Sequence, residues 1–203
     1  NKVNFKLRRG EIHAVAGENG AGKSTLMNII DGIYQPTAGE IRINGQKVVI
    51  KNPLHAHELG IGFVHQELAV CPHVTVAENV YMSAINTSKK WFVDYKELYR
   101  KTSEVLKPLK QMKPDAYVKD LGISSQQLIE IAKSLTLDCK ILILDEPTAS
   151  ITEQETEALF NIMQDLKNKG ISIIYISHRM AEIFSQCDRV TILRDGTYTG
   201  TWD

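Results

Sequence analysis

The sequence predicts an α/β fold built on a mostly parallel sheet, with a small antiparallel β portion towards its start and an inserted α-helical portion. Three observations carry this prediction. Short apolar runs at 12–16, 141–144, 171–176 and 190–193 read as buried strands and alternate with helical stretches, the rhythm of parallel strands joined by crossover helices. The first run ends in a Gly-rich loop that feeds a helix expected over 23–30. From about 67 to 135 the pattern turns polar and helical, with breaks at Pro72, Pro108 and Pro114, before the β/α rhythm returns. The chain thus divides into a core made of 1–66 and 136–203 and a helical lobe made of 67–135.

Residues 3–7 alternate like an edge strand. Residues 31–51 carry Pro36, Gly39 and Gly45 around short β-like pieces at 40–43 and 47–50, as hairpins do. Later, Thr152 and Glu155 form a capping box, Leu159, Ile162, Met163 and Leu166 share one face, and Lys169-Gly170 closes the helix. A shorter helix is expected over 180–185.

Composition narrows the functional classes. In 203 residues, 24 Lys and Arg balance 24 Asp and Glu, so no net positive field exists to hold nucleic acid. Cys71, Cys139 and Cys187 are odd in number and far apart, which implies neither a disulfide framework nor a zinc site and fits a reducing, cytoplasmic compartment. No apolar run approaches the roughly 18 residues of a membrane span, so any membrane link is expected to run through a partner. His55 and His57, two apart, would not share a helix face to bind a metal.

The most informative segment is Gly17, Glu18, Asn19, Gly20, Ala21, Gly22, Lys23, Ser24 and Thr25, which fits G-x-x-x-x-G-K-[ST] in the required strand-to-helix context. Glycines allow successive backbone N–H groups to turn towards phosphate oxygens, and the helix beginning near Lys23 adds its positive dipole end. Lys23 supplies a point charge to the β and γ phosphates, and Ser24 a hydroxyl to Mg²⁺. The bland alternative is an ordinary Gly-rich turn.

The run 141–144 ends in Asp145 and Glu146, at the strand edge where open α/β sheets bind ligands. Asp145 is placed to hold Mg²⁺ through water. Glu146, expected to point elsewhere because strand side chains alternate, can address an attacking water as general base. The run 173–176 repeats the design with Ser177 and His178, whose imidazole can bond the γ-phosphate or position that water. A solvated acidic strand end and a polar loop histidine are the plainer readings of the same residues.

With these motifs in this order, the chain resembles the ATP-binding-cassette proteins over nearly its whole length. The resemblance implies a P-loop NTPase core, ATP and Mg²⁺ as cofactors, and a role for Gln66, which matches the family's Q-loop glutamine that touches Mg²⁺ and the attacking water. Leu121, Gly122, Ile123, Ser124 and Ser125 stand where the family's L-S-G-G-Q segment begins a helix and binds the γ-phosphate held by a partner cassette. Gly122 replaces the expected serine, Ser124 the second glycine and Ser125 the glutamine, while Thr152 stands where an Asp is common after Ala149 and Ser150. Read from the residues alone, Ser124 and Gln127 look like a capping box above a stripe of Leu128, Ile131, Ala132 and Leu135. The family's adenine-stacking aromatic would lie upstream of Asn1, so the chain is expected to be a fragment with its first strand incomplete.

Segments 17–22, 32–36, 64–68 and 175–179 resemble the first cassette of tandem sugar importers of the ribose and galactose type. That resemblance implies an ATPase at the cytoplasmic face of the membrane, a second cassette in the same protein, transmembrane permease subunits and, indirectly, a solute-binding protein. Rival readings are a nucleoside-type importer ATPase, a soluble cassette acting on DNA or ribosomes, and a regulatory cassette that binds ATP with little turnover.

Overall fold

All five residues of β1 (Ile12–Ala16) are buried, as a strand covered on both faces of a parallel sheet must be. The computed structural model describes residues 3–82, 93–107, 109, 112–136 and 138–203; the break expected at Pro108 lies outside them. After β1 come α1 (Lys23–Ile30), the strands β2 (Ile41–Ile43) and β3 (Gln46–Val48), α2 (Pro53–Glu58) and β4 (Ile61–Val64). Helices α3 (Val76–Val80), α4 (Tyr95–Leu106) and α5 (Ile123–Leu135) are inserted before β5 (Ile141–Asp145). The chain then runs through α6 (Glu153–Asn168), β6 (Ser172–Ile176), α7 (Met180–Gln186), β7 (Arg189–Arg194) and β8 (Thr197–Trp202).

The main sheet has the order β4-β5-β6-β1-β7-β8, parallel throughout except for the antiparallel β7–β8 pair. Its side chains alternate between two cores, as the pleat dictates. Leu142, Leu144, Ile173 and Tyr175 face a cluster shared with α6 and with Val76, Val80, Ile129 and Ile131 of the inserted helices. Ile143, Ile174 and Ile176 face Met27 of α1, Ala56 of α2 and Phe63. The two hairpins turn on Asn44-Gly45 and Asp195-Gly196, all four residues at positive φ, which is the backbone that I′ turns demand and that these dipeptides tolerate.

Three expectations change. Residues 3–7 form no strand; Val3, Phe5 and Leu7 do pack against the second core, so the alternation reflects one-sided burial without a ladder partner. Among the described residues the antiparallel β portion near the start of the chain is therefore the β2–β3 pair. Helix α2 and strand β8 add to the expected elements. The start of α2 carries a signal in Asn52, whose side chain caps His55 N with Pro53 at the first helical position. Among the described residues no helix is long and apolar enough to cross a membrane.

A polar seam crosses the base of β1. The Glu11 Oε1 atom accepts from Arg8 N and lies 3.2 Å from His13 Nδ1 and 3.3 Å from Arg189 Nη1. His13 Nε2 lies 2.7 Å from Thr191 Oγ1, and Thr191 meets Thr201 at the same distance. Burial is the main influence on the imidazole and pushes its pKa down, against a smaller upward pull from Glu11. Below about pH 6.5 an unfolded chain therefore takes up a proton that folded His13 resists, and stability falls with pH by at most about 1.4 kcal/mol per unit from this residue. Denaturant melts from pH 7.5 to 5.5 should show that loss, and His13→Gln should flatten it; equal slopes for both proteins would remove His13 from the acid response.

Candidate functional site

Strand register decides what meets at the sheet edge. Val64 pairs with Leu144, Asp145 with Ile176, Val15 with Ile176 and Ala16 with Ile192. The chain accordingly leaves β1, β4, β5 and β6 at one level, and Gly17, Gln66, Glu146 and His178 emerge together at the C-terminal edge.

The phosphate-type loop follows β1. A Cβ built on Gly17 would lie 2.4 Å from Leu193 O and 2.9 Å from Ala21 Cβ, so only glycine allows the loop to press this closely on β7. Gly22 caps α1 in the left-handed conformation, another glycine-favouring position. Ala21 N bonds Glu18 O at 3.1 Å, and Gly196 N, at the β7–β8 turn, bonds Ala21 O at 3.2 Å, so the hairpin backs the loop. The first turn of α1 carries no acidic residue and no side-chain cap, which leaves its N–H groups suited to an anion. Lys23 is buried, and its Nζ donates to Gly17 O at 2.7 Å and Glu18 O at 3.0 Å. An ammonium has three donors, so one remains to face a phosphate. Ser24 and Thr25 are exposed at the start of the helix, and Glu18, Asn19 and Gly20 are exposed on the loop.

Asp145 ends β5, half-buried, with its pKa raised first by burial and then by the neighbouring charge of Glu146, against smaller opposing pulls from His65 and Lys23. Glu146 lies just beyond the strand with φ 46°, an uncommon state for this residue type that costs about 1–3 kcal/mol. Its backbone N bonds Ile176 O at 3.0 Å and its O accepts from Ala149 N at 3.2 Å. The expectation that strand alternation re-aims Glu146 is thus replaced by a left-handed backbone turn. That turn brings Glu146 Oε1 to 3.3 Å from His178 Nδ1, with the carboxylate 17% and the imidazole 58% exposed. Gln66 follows β4 at the same edge, exposed, with no side-chain hydrogen bond to a described residue.

Residues 121–125 do not join this group. Helix α5 begins at Ile123 with Gly122 as its cap and no capping side chain, so the capping box expected of Ser124 and Gln127 does not form. The helix starts two residues earlier than that box requires. Ser124 Oγ, in the first turn, donates to Glu155 Oε1 at 2.5 Å, and Gln127 Nε2 donates to Pro147 O. Glu155 closes the expected capping box of α6 with Thr152. Leu121 O accepts from Gln126 Nε2 at 2.9 Å, Ser125 is half-buried, and Ile123 and Gly122 face outward, with open space beside the Gly122 Cα. Of the expected stripe, Leu128, Ile131 and Ala132 are buried and Leu135 is partly buried against the same core.

Sequence reasoning passed over one more residue. Glu182 of α7 is buried, and its Oε2 accepts from Tyr175 OH at 2.7 Å, Thr148 Oγ1 at 3.0 Å and Ser177 Oγ at 3.1 Å. The signal was its place in the first turn of the helix that follows His178, beside the core residue Ile183.

A family model described as ABC transporter matches residues 1–149. The ribose import ATP-binding protein RbsA of Ruegeria sp. (strain TM1040) is 61% identical over 201 residues, covering 99% of this chain and 39% of that protein. The galactose/methyl galactoside import ATP-binding protein MglA of Clostridium tetani (strain Massachusetts / E88) is 48% identical, covering 99% of this chain and 41% of that protein. The chain therefore spans about two fifths of the length of these relatives. Among solved structures, the ADP conformation of an ATP-binding cassette of an ABC transporter superposes with TM-score 0.86 at 25% identity, covering 98% of this chain and 82% of that one. A dimeric bacterial ABC transporter cassette superposes with TM-score 0.81 at 25% identity, covering 99% and 88%. A family model that matches most of the chain, on the fold and loop just described, is decisive: the chain belongs to the ABC transporter family.

Proposed function

We propose that the chain binds ATP with Mg²⁺ and hydrolyses it to drive import of a monosaccharide through a partner permease at the cytoplasmic face of a membrane. The observation that carries this reading is the meeting of the Lys23 loop, Asp145 and the Glu146–His178 pair at one sheet edge. The relatives named for ribose and galactose import support the substrate class. In this reading the backbone N–H groups of 17–25 and the Lys23 ammonium hold the β and γ phosphates. Glu146 accepts a proton from the attacking water, and His178, within reach of that carboxylate, orients the water or the γ-phosphate. The chain contributes positioning and charge stabilisation, the two factors that dominate phosphoryl transfer.

The residues present suit Mg²⁺. Asp145 is half-buried with a raised pKa, its carboxylate makes no hydrogen bond or ion pair to a described residue, and the Ser24 hydroxyl and Gln66 side-chain carbonyl complete a set of hard oxygen donors. When bound, Mg²⁺ would draw negative charge from the phosphate oxygens.

The length of the relatives leaves room for a second cassette, and the dimeric solved cassette offers a model for its docking. The Lys23 site would then be completed by the other cassette's signature segment. Residues 121–125 would serve the opposite site, where Gly122 offers no hydroxyl. A solute-binding protein would deliver cargo to the permease. The helices between β4 and β5 would form the lobe that moves with nucleotide state, with Gln66 at its junction with the core. The missing hydroxyl at Gly122 favours one second reading, an ATP-binding cassette with little turnover.

Mg-dependent ATP turnover by the full-length protein separates the two. Glu146→Gln should retain ATP binding and lower kcat by about 10²–10⁴-fold, the range for loss of a general base; near-normal turnover would place hydrolysis elsewhere. Lys23→Ala should weaken nucleotide binding itself, read by equilibrium binding of a fluorescent ATP analogue, and unchanged affinity would refute its phosphate role. Asp145→Asn should abolish turnover yet raise Tm in EDTA at neutral pH, because a carboxylate with a raised folded pKa costs stability once ionised. The gain should be about 2–4 °C for each kcal/mol relieved; a lower Tm would mean that the charge is satisfied within the fold.

A further inference from the structure

We propose that Glu182 is a positioning residue that sets the geometry of the Glu146–His178 pair, an inference that rests on the hydrolytic reading above. Its carboxylate is the common acceptor for groups flanking both members of the pair. Thr148, two residues after Glu146, donates at 3.0 Å, and Ser177, directly before His178, donates at 3.1 Å. Arg179, directly after His178, donates from Nη1 to Glu182 Oε1 at 3.1 Å and from its backbone N to Ser177 Oγ at 3.0 Å. The third hydroxyl, Tyr175 OH at 2.7 Å, comes from β6. Burial first, and then the bond to Glu182, push the Tyr175 pKa up, which keeps that hydroxyl a donor.

The arrangement is one-sided. Among the described residues no hydrogen bond links the Glu182 carboxylate to the phosphate loop, whereas three of its four donors belong to the two segments that carry Glu146 and His178. Thr148, Tyr175, Ser177 and Glu182 are all buried, so water cannot readily replace a lost acceptor. Glu146 already holds an uncommon φ, and such a backbone persists only where its surroundings over-determine it. The bond from Glu146 N to Ile176 O fixes the backbone from one side; the Glu182 bonds fix the following turn and the His178 segment from the other. Loss of Glu182 should therefore loosen the reacting pair and leave nucleotide capture intact.

The test uses the full-length protein, with kcat and KM for Mg-ATP measured beside the stoichiometry of bound ATP analogue. For Glu182→Ala we expect kcat to fall about 10–100-fold with KM within about threefold and full binding stoichiometry, the range that a displaced catalytic group produces. Glu182→Gln, which keeps an oxygen acceptor for the hydroxyls, should recover much of that loss. In a His178→Ala background Glu182→Ala should cost far less, because coupled residues are not additive. Unchanged kcat, or turnover lost only in proportion to bound nucleotide, would overturn the positioning role. If Glu182→Ala does not fold, Ser177→Ala cuts the tie nearest His178, and a wild-type kcat in that variant overturns the proposal equally. Full turnover by Glu146→Gln in the same assay would instead bring down the hydrolytic reading and the positioning role with it, so the two failures are distinct.

Discussion

The site depends on the in-register parallel pairing of β1, β5 and β6 through side chains that water never reaches. Val15, Asp145 and Ile176 sit at one level because Val15 and Asp145 both pair with Ile176. A slip of one residue would invert the buried faces of a strand whose two sides are both packed. Burial of Ile143, Leu144, Ile174 and Tyr175 thus fixes where the polar residues beyond them emerge. The chemistry at the edge is held in place by apolar packing several residues away, and the loops themselves supply only the final turn.

Electrostatics at that edge are arranged in opposition. Burial raises the pKa of Asp145, and the adjacent Glu146 carboxylate raises it further. A positive backbone angle turns Glu146 towards His178. Lys23 is drawn in over the loop carbonyls, where it lowers the cost of nearby negative charge. Such an arrangement costs the fold stability, the pattern expected where charged groups are held for function.

Much of this was legible in the residues. The buried strands, α1 and the Thr152 capping box follow from apolar runs, a motif in its strand–helix context and a local side-chain pattern, all of them short-range signals. Residues 3–7 misled because alternation records burial, and burial needs no ladder partner. The Ser124–Gln127 box misled because both side chains are claimed by long-range acceptors, Glu155 and Pro147, that sequence spacing cannot reveal. Glu146 was recognised as a candidate but for an incomplete reason, since its aim comes from a left-handed turn and not from strand alternation. Glu182 escaped notice because its donors lie up to 34 positions away in sequence and meet only once β6 and α7 have packed.

The backing of the phosphate loop by the β7–β8 turn has a consequence for how the protein is made. Ala21 O is bonded by Gly196 N, and Gly17 abuts Leu193 O, so a loop encoded near the beginning of this sequence is walled by residues encoded near its end. Long-range closures of this kind form late, after local helices and hairpins. A nascent chain that has emerged from the ribosome only as far as α6 carries the full glycine-lysine motif without the wall that shapes it. The loop is thus complete in sequence early in synthesis and complete in structure only after β7 and β8 have emerged and packed against it.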